Sequence, residues 1–306
     1  MISQTKRYYQ FSEYLKERFG CKVYKVTIDA GFTCPNRDGK LGWGGCTYCN
    51  NLGFSANSRH EPLPIREQIE QGMAFMRKRY KAEKFIAYFQ AYTNTYAPIE
   101  TLRANYSAAL EFDDIVALSI GTRPDCAPDP VLDLIGSYQA SHEVWVEYGL
   151  QSIHDRTLRL VNRGHNYATF LDALERTRRR GLKVCVHVIL GLPGESHAEM
   201  MATAQAVGQM DIDSLKIHLM HVLRDTPIEK DLTEGRFKAL EFDEYVNLVC
   251  DFLEYLPPKV SIQRLTADGP RSILLAPKWA TQKSKIIAAI DAELERRGSQ
   301  QGSRLG

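Results

Sequence analysis

Three observations on this 306-residue chain predict an α/β fold built on a parallel sheet. Apolar, β-branched runs recur along it, and segments with apolar residues at helical spacing lie between them. The glycine- and cysteine-bearing motifs fall at or just after the ends of those runs. Parallel neighbours need a crossover, usually a helix, so alternation of the two periodicities selects this class. The composition (44% hydrophobic, 10% aromatic, 25% charged) excludes collagen, coiled coil and disorder as the main architecture. The length admits two ordinary domains or one α/β barrel of about 250 residues with extensions.

In chain order, an amphipathic lead helix is expected over 8–18. Strands are expected at KVYKVTI (22–28), KFIAYFQ (84–90), DIVALSIG (114–121), EVWVEYGLQ (143–151), KVCVHVILG (183–191) and DSLKIHLM (213–220). Helical spacing marks 65–80, 99–110, 130–139, 168–180 and 195–210. Beyond residue 220 the alternation weakens to a helix at 242–256, a short apolar run at 260–265 and a last helix at 279–297. The end, GSQQGSRLG, reads as a flexible tail. The expected organisation is a lead segment (1–16), a core (17–257) and a C-terminal α/β extension with its tail (258–306). Periodicity leaves both a nearly closed barrel and a doubly wound open sheet open. Either one puts functional residues in loops after the carboxyl ends of strands.

With 39 basic and 37 acidic residues the net charge is +2, which neither demands nor excludes a nucleic-acid partner. No stretch approaches the roughly 20 apolar residues of a membrane helix, and the opening MISQTKRYYQFSEYL lacks an apolar signal core, so a cytoplasmic protein with no membrane partner is expected. Seven cysteines without a secretory signal point to metal or thiol chemistry rather than a disulfide framework.

Three of them, Cys34, Cys46 and Cys49, share the glycine-rich loop DAGFTCPNRDGKLGWGGCTYCNNLGFS after the first strand. The C-x-x-C pair lets two thiolates converge on one centre, and the glycines let Cys34 come round to it. Three thiolates are incomplete for a structural zinc site but suit a four-iron cluster with one iron left open. Zinc with His60 as fourth ligand and a redox pair are the alternatives. Cys21, Cys185 and Cys250 sit in apolar patterns and read as buried hydrophobes, and Cys126 in TRPDCAP reads as structural.

The loop CPNRDG-x6-CTYCN (34–50) is followed by IGTRPD (120–125), VEYGLQS (146–152), NRGH (162–165) and LGLPGES (190–196). With these motifs in this order the chain resembles the radical S-adenosylmethionine (SAM) superfamily, in particular its elongator-like branch and YhcC-type proteins, from the lead helix to about residue 257. The resemblance implies a partial (βα)6 TIM-type barrel. It also implies a [4Fe-4S] cluster on Cys34, Cys46 and Cys49, whose fourth iron is chelated by S-adenosyl-L-methionine. Reductive cleavage of that cofactor gives methionine and a 5′-deoxyadenosyl radical. Eleven residues between Cys34 and Cys46, against the three of the commonest form, mark a subgroup. The usual glycine-glycine-glutamate stretch after the second strand is replaced by FQAYTNTY.

By the same resemblance, Tyr48 lies near the adenine, Gln151 and His187 near the ribose, and Arg163 meets the methionine carboxylate. Gly191 opens an adenine-contacting turn. Glu147 contacts the cofactor or pairs with a buried base. An electron donor such as a flavodoxin or ferredoxin is implied. A transfer-RNA base is the favoured substrate class, with a small metabolite as the enzymatic alternative and a zinc-binding, non-enzymatic nucleic-acid-binding protein as the reading from a different class. Basic residues after strand ends (Arg37, Lys40, Arg59, Arg156, Arg159, Arg224, Arg264, Arg271) and the aromatics Trp43, Phe54, Tyr92 and Tyr96 are the candidates for RNA contact. The clusters at 77–79 and 178–180 read as solvated helix ends.

Overall fold

The computed structural model describes residues 6–50, 63–267 and 269–305. Its main sheet has seven parallel strands: β1 (Val23–Ile28), β2 (Lys84–Phe89), β3 (Ile115–Thr122), β4 (Glu143–Gln151), β5 (Lys183–Leu190), β6 (Ser214–Leu219) and, after β7 (Val222–Leu223), β8 (Ser261–Arg264). β7 pairs antiparallel with β9 (Leu274–Ala276) beside it. Strand order in space follows chain order, with no reversal. A doubly wound sheet must reverse at a switch point, so the open-sheet alternative is excluded and the sheet is a partial barrel.

Helices α1 (Phe11–Phe19), α2 (Ile65–Tyr80), α3 (Ile99–Ala109), α4 (Asp129–Ser137), α5 (Asp155–Leu160), α6 (Tyr167–Arg179), α7 (His197–Gly208), α8 (Pro227–Thr233), α9 (Phe242–Glu254) and α10 (Lys283–Arg296) complete the fold. Local chemistry sets several ends. Ser196 and Glu199 form a capping box at the start of α7, and the Asn166 side chain accepts the Thr169 N–H at the start of α6. Gly20, at φ +71°, stops α1.

Side chains alternate across each strand, so the barrel interior is layered. At the amino-terminal end Val23, Ile86, Ala117, Trp145 and Cys185 pack with Phe11 and Leu15 of α1. Phe11 meets Trp145 edge-on with ring centroids 5.4 Å apart, so the lead helix plugs the bottom of the barrel. Two residues further along each strand stand Lys25, Tyr88, Ser119, Glu147, His187 and Lys216, a layer of polar groups. Above it, at the carboxyl ends, Gly121 and Gly149 leave the mouth open.

The expected extension is less separate than its composition suggests. Its run at 260–265 supplies β8, which pairs parallel with β6, and the Ile262 N–H donates to Tyr9 O at 2.7 Å. The flexible tail is corrected. Gln301 is buried: its N–H donates to Arg7 O at 2.8 Å, and its amide nitrogen donates to Pro257 O and Val260 O at 2.7 and 2.8 Å. The Arg304 guanidinium pairs with Asp251 and Glu254 of α9. The segment carries no apolar signal because it is fixed by polar groups satisfying backbone carbonyls. Removing residues 299–306 should lower Tm by about 3–6 °C in a thermal melt, since several of these bonds, each worth about 1 kcal/mol, vanish together.

Candidate active site

Cys34, Cys46 and Cys49 lie on the wall of one cavity at the carboxyl ends of the strands. Their loop is held by its own turns. Cys34 O accepts the N–H of Arg37 at 2.8 Å, and Cys46 O accepts that of Cys49 at 2.9 Å. It is also clamped to the segment after α5: Asn36 Nδ2 donates to Asn162 O at 2.6 Å and Asn162 Nδ2 donates to Gly45 O at 2.8 Å. A Cβ on Gly164 would stand 2.3 Å from Asn36 Oδ1 and 2.8 Å from Arg123 Nη2, which explains the glycine of NRGH.

Two guanidinium groups face the sulfurs. Arg163 Nη1 lies 3.6 Å from Cys46 Sγ and Arg123 Nη1 lies 3.8 Å from Cys34 Sγ. Arg163 is anchored by donating to Gly149 O at 2.8 Å, and Arg123 by two bonds to the Asp125 carboxylate at 3.0 and 2.8 Å and one to Arg163 O at 2.7 Å. Burial, with the neighbouring Cys46 and Cys34 sulfurs, pushes the Cys49 thiol up to about 12 against the pull of Arg37 and Arg163. Binding a soft metal centre removes that penalty by neutralising the thiolates.

The three sulfurs do not all fall within 4.8 Å of one another. A single zinc with Zn–S bonds of about 2.3 Å would draw tetrahedral ligands to roughly 3.8 Å apart, whereas a cube of irons holds them further apart. The donor set therefore fits a cluster better than one ion. His60, the alternative zinc ligand, lies outside the described residues, as do Arg59 and Phe54.

Beneath the cavity Glu147 is fully buried and its carboxylate accepts four donors. Lys25 and Ser119 (2.6 Å) bond one oxygen, and His187 Nε2 (2.8 Å) and Lys216 (2.5 Å) the other. Burial alone would raise its pKa, but the Lys216 and Lys25 ammoniums and the His187 bond together hold it well below the usual carboxylate range. Burial and Lys216 lower His187 to about 4, so near neutrality a neutral imidazole donates its Nε2–H to Glu147. Both ammoniums also sit over the Tyr88 ring, 4.3 and 4.4 Å from its centroid, and Lys216 donates to the Tyr88 hydroxyl at 3.0 Å.

Glu147, Cys185 and His187 bring ligand atoms within 4.8 Å of one another, but Lys25 and Lys216 already supply the positive charge a metal would bring. Glu147 as a cofactor contact is thus corrected: it pairs with buried bases, because a carboxylate with four donors has no open position. His187 spends its Nε2 on Glu147, and its ring remains on the cavity wall. Sequence reasoning missed the partners Lys25, Lys216 and Tyr88. Their signal was lysine in two apolar runs at the strand parity that faces inward.

Gln151 ends β4 with φ +74°, and its Oε1 is buried without a partner. The Tyr48 hydroxyl is likewise buried, with the Cys46 sulfur beside it. Both line the cavity, and the Gln151 oxygen is a group that a ligand would satisfy. Gly191 differs. It adopts φ +84°, and a Cβ there would meet Leu240 Cδ1 at 2.7 Å. It is a turn glycine packed under Leu240, outside the cavity lining, and the expectation that it contacts adenine is corrected accordingly.

Chemistry gathered at the carboxyl mouth of a parallel barrel, over a plugged and ion-paired interior, defines the class: an α/β-barrel enzyme. The chain belongs to the Radical SAM superfamily, whose family model matches residues 34–207, followed by the Radical_SAM C-terminal domain over residues 212–296. It is 41% identical over 293 residues to protein YhcC of Escherichia coli K12, covering 95% of this chain and 93% of that one. A tRNA uridine(34) acetyltransferase of Dehalococcoides mccartyi is 30% identical over 164 residues, covering 53% of this chain and 35% of that protein. The structure of Methanocaldococcus infernus Elp3 lacking its N-terminus shares the fold (TM-score 0.69, 21% identity, 91% of this chain and 64% of that one). Superfamily members are enzymes that use a [4Fe-4S] cluster and S-adenosyl-L-methionine, and these are the cofactors of this chain. Membership overturns the non-enzymatic zinc-protein reading. No described helix is long and apolar enough to cross a membrane.

Proposed function

We propose that Cys34, Cys46 and Cys49 ligate the cluster, that the cavity beside them binds S-adenosylmethionine, and that the enzyme modifies a transfer-RNA base. The observation that carries the ligand assignment is the placing of all three cysteines on one cavity wall, with Arg163 and Arg123 against two of the sulfurs. When bound, the cofactors supply one-electron cleavage of a sulfonium bond and a 5′-deoxyadenosyl radical. The chain does the rest. Its thiolates suit soft iron, and its two guanidiniums offset their charge. Arg163 lines the cavity with N–H groups to spare for a carboxylate, and Gln151 offers an unbonded amide oxygen to a nucleoside. The α1 plug and the Glu147 layer close the interior beneath the mouth and keep water from the reacting centre.

The RNA reading is supported by the named tRNA-acting relative and by cations placed on aromatics around the mouth. Arg37 lies over Tyr92 at 5.8 Å, Lys40 lies over Tyr96 at 5.2 Å, and Trp43 is 77% exposed. The helix-end arginines are less suited, because Arg77, Arg178, Arg179 and Arg180 are ion-paired with Asp114, Asp213, Glu175 and Asp133. A flavodoxin or ferredoxin would supply the electron.

Anaerobic reconstitution with iron and sulfide, followed by reduction with S-adenosylmethionine, should yield 5′-deoxyadenosine by chromatography. Binding to bulk tRNA should weaken steeply as salt rises. Absence of 5′-deoxyadenosine from a sample with an assembled cluster would overturn the chemistry. Tight binding of a small acid with no tRNA affinity would replace the RNA reading. A further expectation concerns Gly149, where a Cβ would stand 2.5 Å from Arg163 Nη2 and 2.6 Å from Gln151 Nε2. Gly149→Ala should weaken S-adenosylmethionine binding about tenfold in calorimetry by displacing both side chains.

A further inference from the structure

We infer that the β6–β8 wall of the cavity is an oxyanion subsite, in which Arg264 receives a carboxylate or phosphate carried by the substrate. The inference rests on the radical-enzyme reading for what the cavity does, and on separate residues for what it recognises. Arg264, half-buried, lies at the end of β8 and lines the cavity. Among the described residues its guanidinium has neither a hydrogen bond nor an ion pair. The other cations on the lining are engaged: Arg123 by Asp125, Arg163 by Gly149 O and Cys46, Lys216 by Glu147, and Arg37 by Gly44 O. The one carboxylate among the described lining residues, Glu147, has both oxygens occupied and cannot serve Arg264.

One further group near Arg264 lacks a partner in the same way. The Nε2 atom of His218, also on the cavity lining, is buried without a hydrogen-bond partner among the described residues, and His218 lies close enough for the Arg264 charge to act on it. His218 is held neutral by burial and by that charge, so its ring can present an N–H. A planar guanidinium fork and an imidazole N–H at one wall match an oxyanion, which accepts from both. A neutral ligand would leave the half-desolvated charge uncompensated, and a cationic one would be repelled. The proposed function assigns the methionine carboxylate to the remaining N–H groups of Arg163 beside β4, and β5 and β6 stand between β4 and β8.

The test is titration of the reconstituted holoenzyme, saturated with S-adenosylmethionine, with acetate and separately with inorganic phosphate. Saturable binding is followed by calorimetry with the cluster left oxidised, so that S-adenosylmethionine is not consumed. The wild type should bind at least one probe. Arg264→Gln should weaken it about tenfold or more, and Arg264→Lys, which keeps the charge without the fork, should weaken it less. Tighter acetate than phosphate assigns the subsite to a carboxylate on the substrate, and the reverse assigns it to a nucleotide phosphate. No saturable binding by the wild type, displacement of the probe by S-adenosylmethionine, or unchanged binding by a cluster-loaded Arg264→Gln would overturn the inference. Should that variant fail to assemble its cluster, His218→Leu serves in its place, with a loss of binding expected and unchanged binding counting against the subsite. Failure of the radical reading shows separately, as absence of 5′-deoxyadenosine from the wild type, a result the anion titration does not depend on.

Discussion

Alanine at any one of Cys34, Cys46 or Cys49 should abolish the visible absorption of the reconstituted protein and lower 5′-deoxyadenosine formation by about a thousandfold or more, on the order of 4 kcal/mol in barrier. The sulfurs share one cavity wall, so loss of one thiolate removes one of the three donors proposed to hold the cluster. Iron and acid-labile sulfide assays measure the cluster, and chromatography measures the cleavage. Cys250→Ala is the control. Its sulfur is buried against Ile290 O, far from the barrel mouth, and its loss costs only packing. Cleavage that survived in the triple cysteine variant would sink the ligand assignment.

The second large effect is on stability. Glu147→Ala leaves Lys25 and Lys216 buried in one layer without their counter-ion, and should cost about 3–5 kcal/mol in a denaturant titration. Replacing all three together by apolar residues of similar volume should recover much of that loss, because what destabilises is the unpaired charge and not the absence of the pair. Recovery of stability without recovery of function would separate the structural role of the layer from any part it plays in the cavity. A single variant as stable as the wild type would show that the layer is solvated or already deprotonated.

The same layer fixes the sign of the acid response. The folded-state pKa of His187, about 4, lies below its ordinary 6.5, so between those values the unfolded chain binds the extra proton and stability falls as pH falls. Glu147, held well below its ordinary range, adds stability above about pH 4.5 that is lost as pH falls toward its folded value. Both act in one direction, so stability measured by urea titration should begin to decline near pH 6.5 and steepen below 4.5. His187→Gln should shrink the first part of the decline without abolishing it, because burial also holds His165 and His218 neutral. A flat profile from pH 7 to 5 in the wild type would contradict a buried neutral imidazole.

How much of this was legible in the chain follows from which forces write themselves into local sequence. The strands and helices of the barrel could be read because each buries one face, and burial imposes a period on residues adjacent in sequence. The cysteine loop could be read because three ligands lie within sixteen residues. The partners of Glu147 could not be read in the same way. Lys25, His187 and Lys216 come from three other strands, and only curling the sheet brings them to one carboxylate. Gly191 carried a motif's spacing but not its environment, since Leu240, forty-nine residues on, decides what packs over it. The tail misled because Gly, Ser and Gln mark flexibility on average, whereas Gln301 is held by backbone groups distant in sequence.

The sequence by itself determined the class of fold, the order of its units, the metal-binding loop and the superfamily, all properties carried by periodicity or by residues close along the chain. Only the tertiary structure decided that the sheet opens as a barrel with β8 at its edge, that α1 plugs one end, and that Arg163 and Arg123 stand over the sulfurs. It alone left Arg264 on the wall of the cavity without a counter-ion among the described residues. Those are relations between side chains on different strands, and their distances exist only once hydrophobic burial has closed the sheet around its interior.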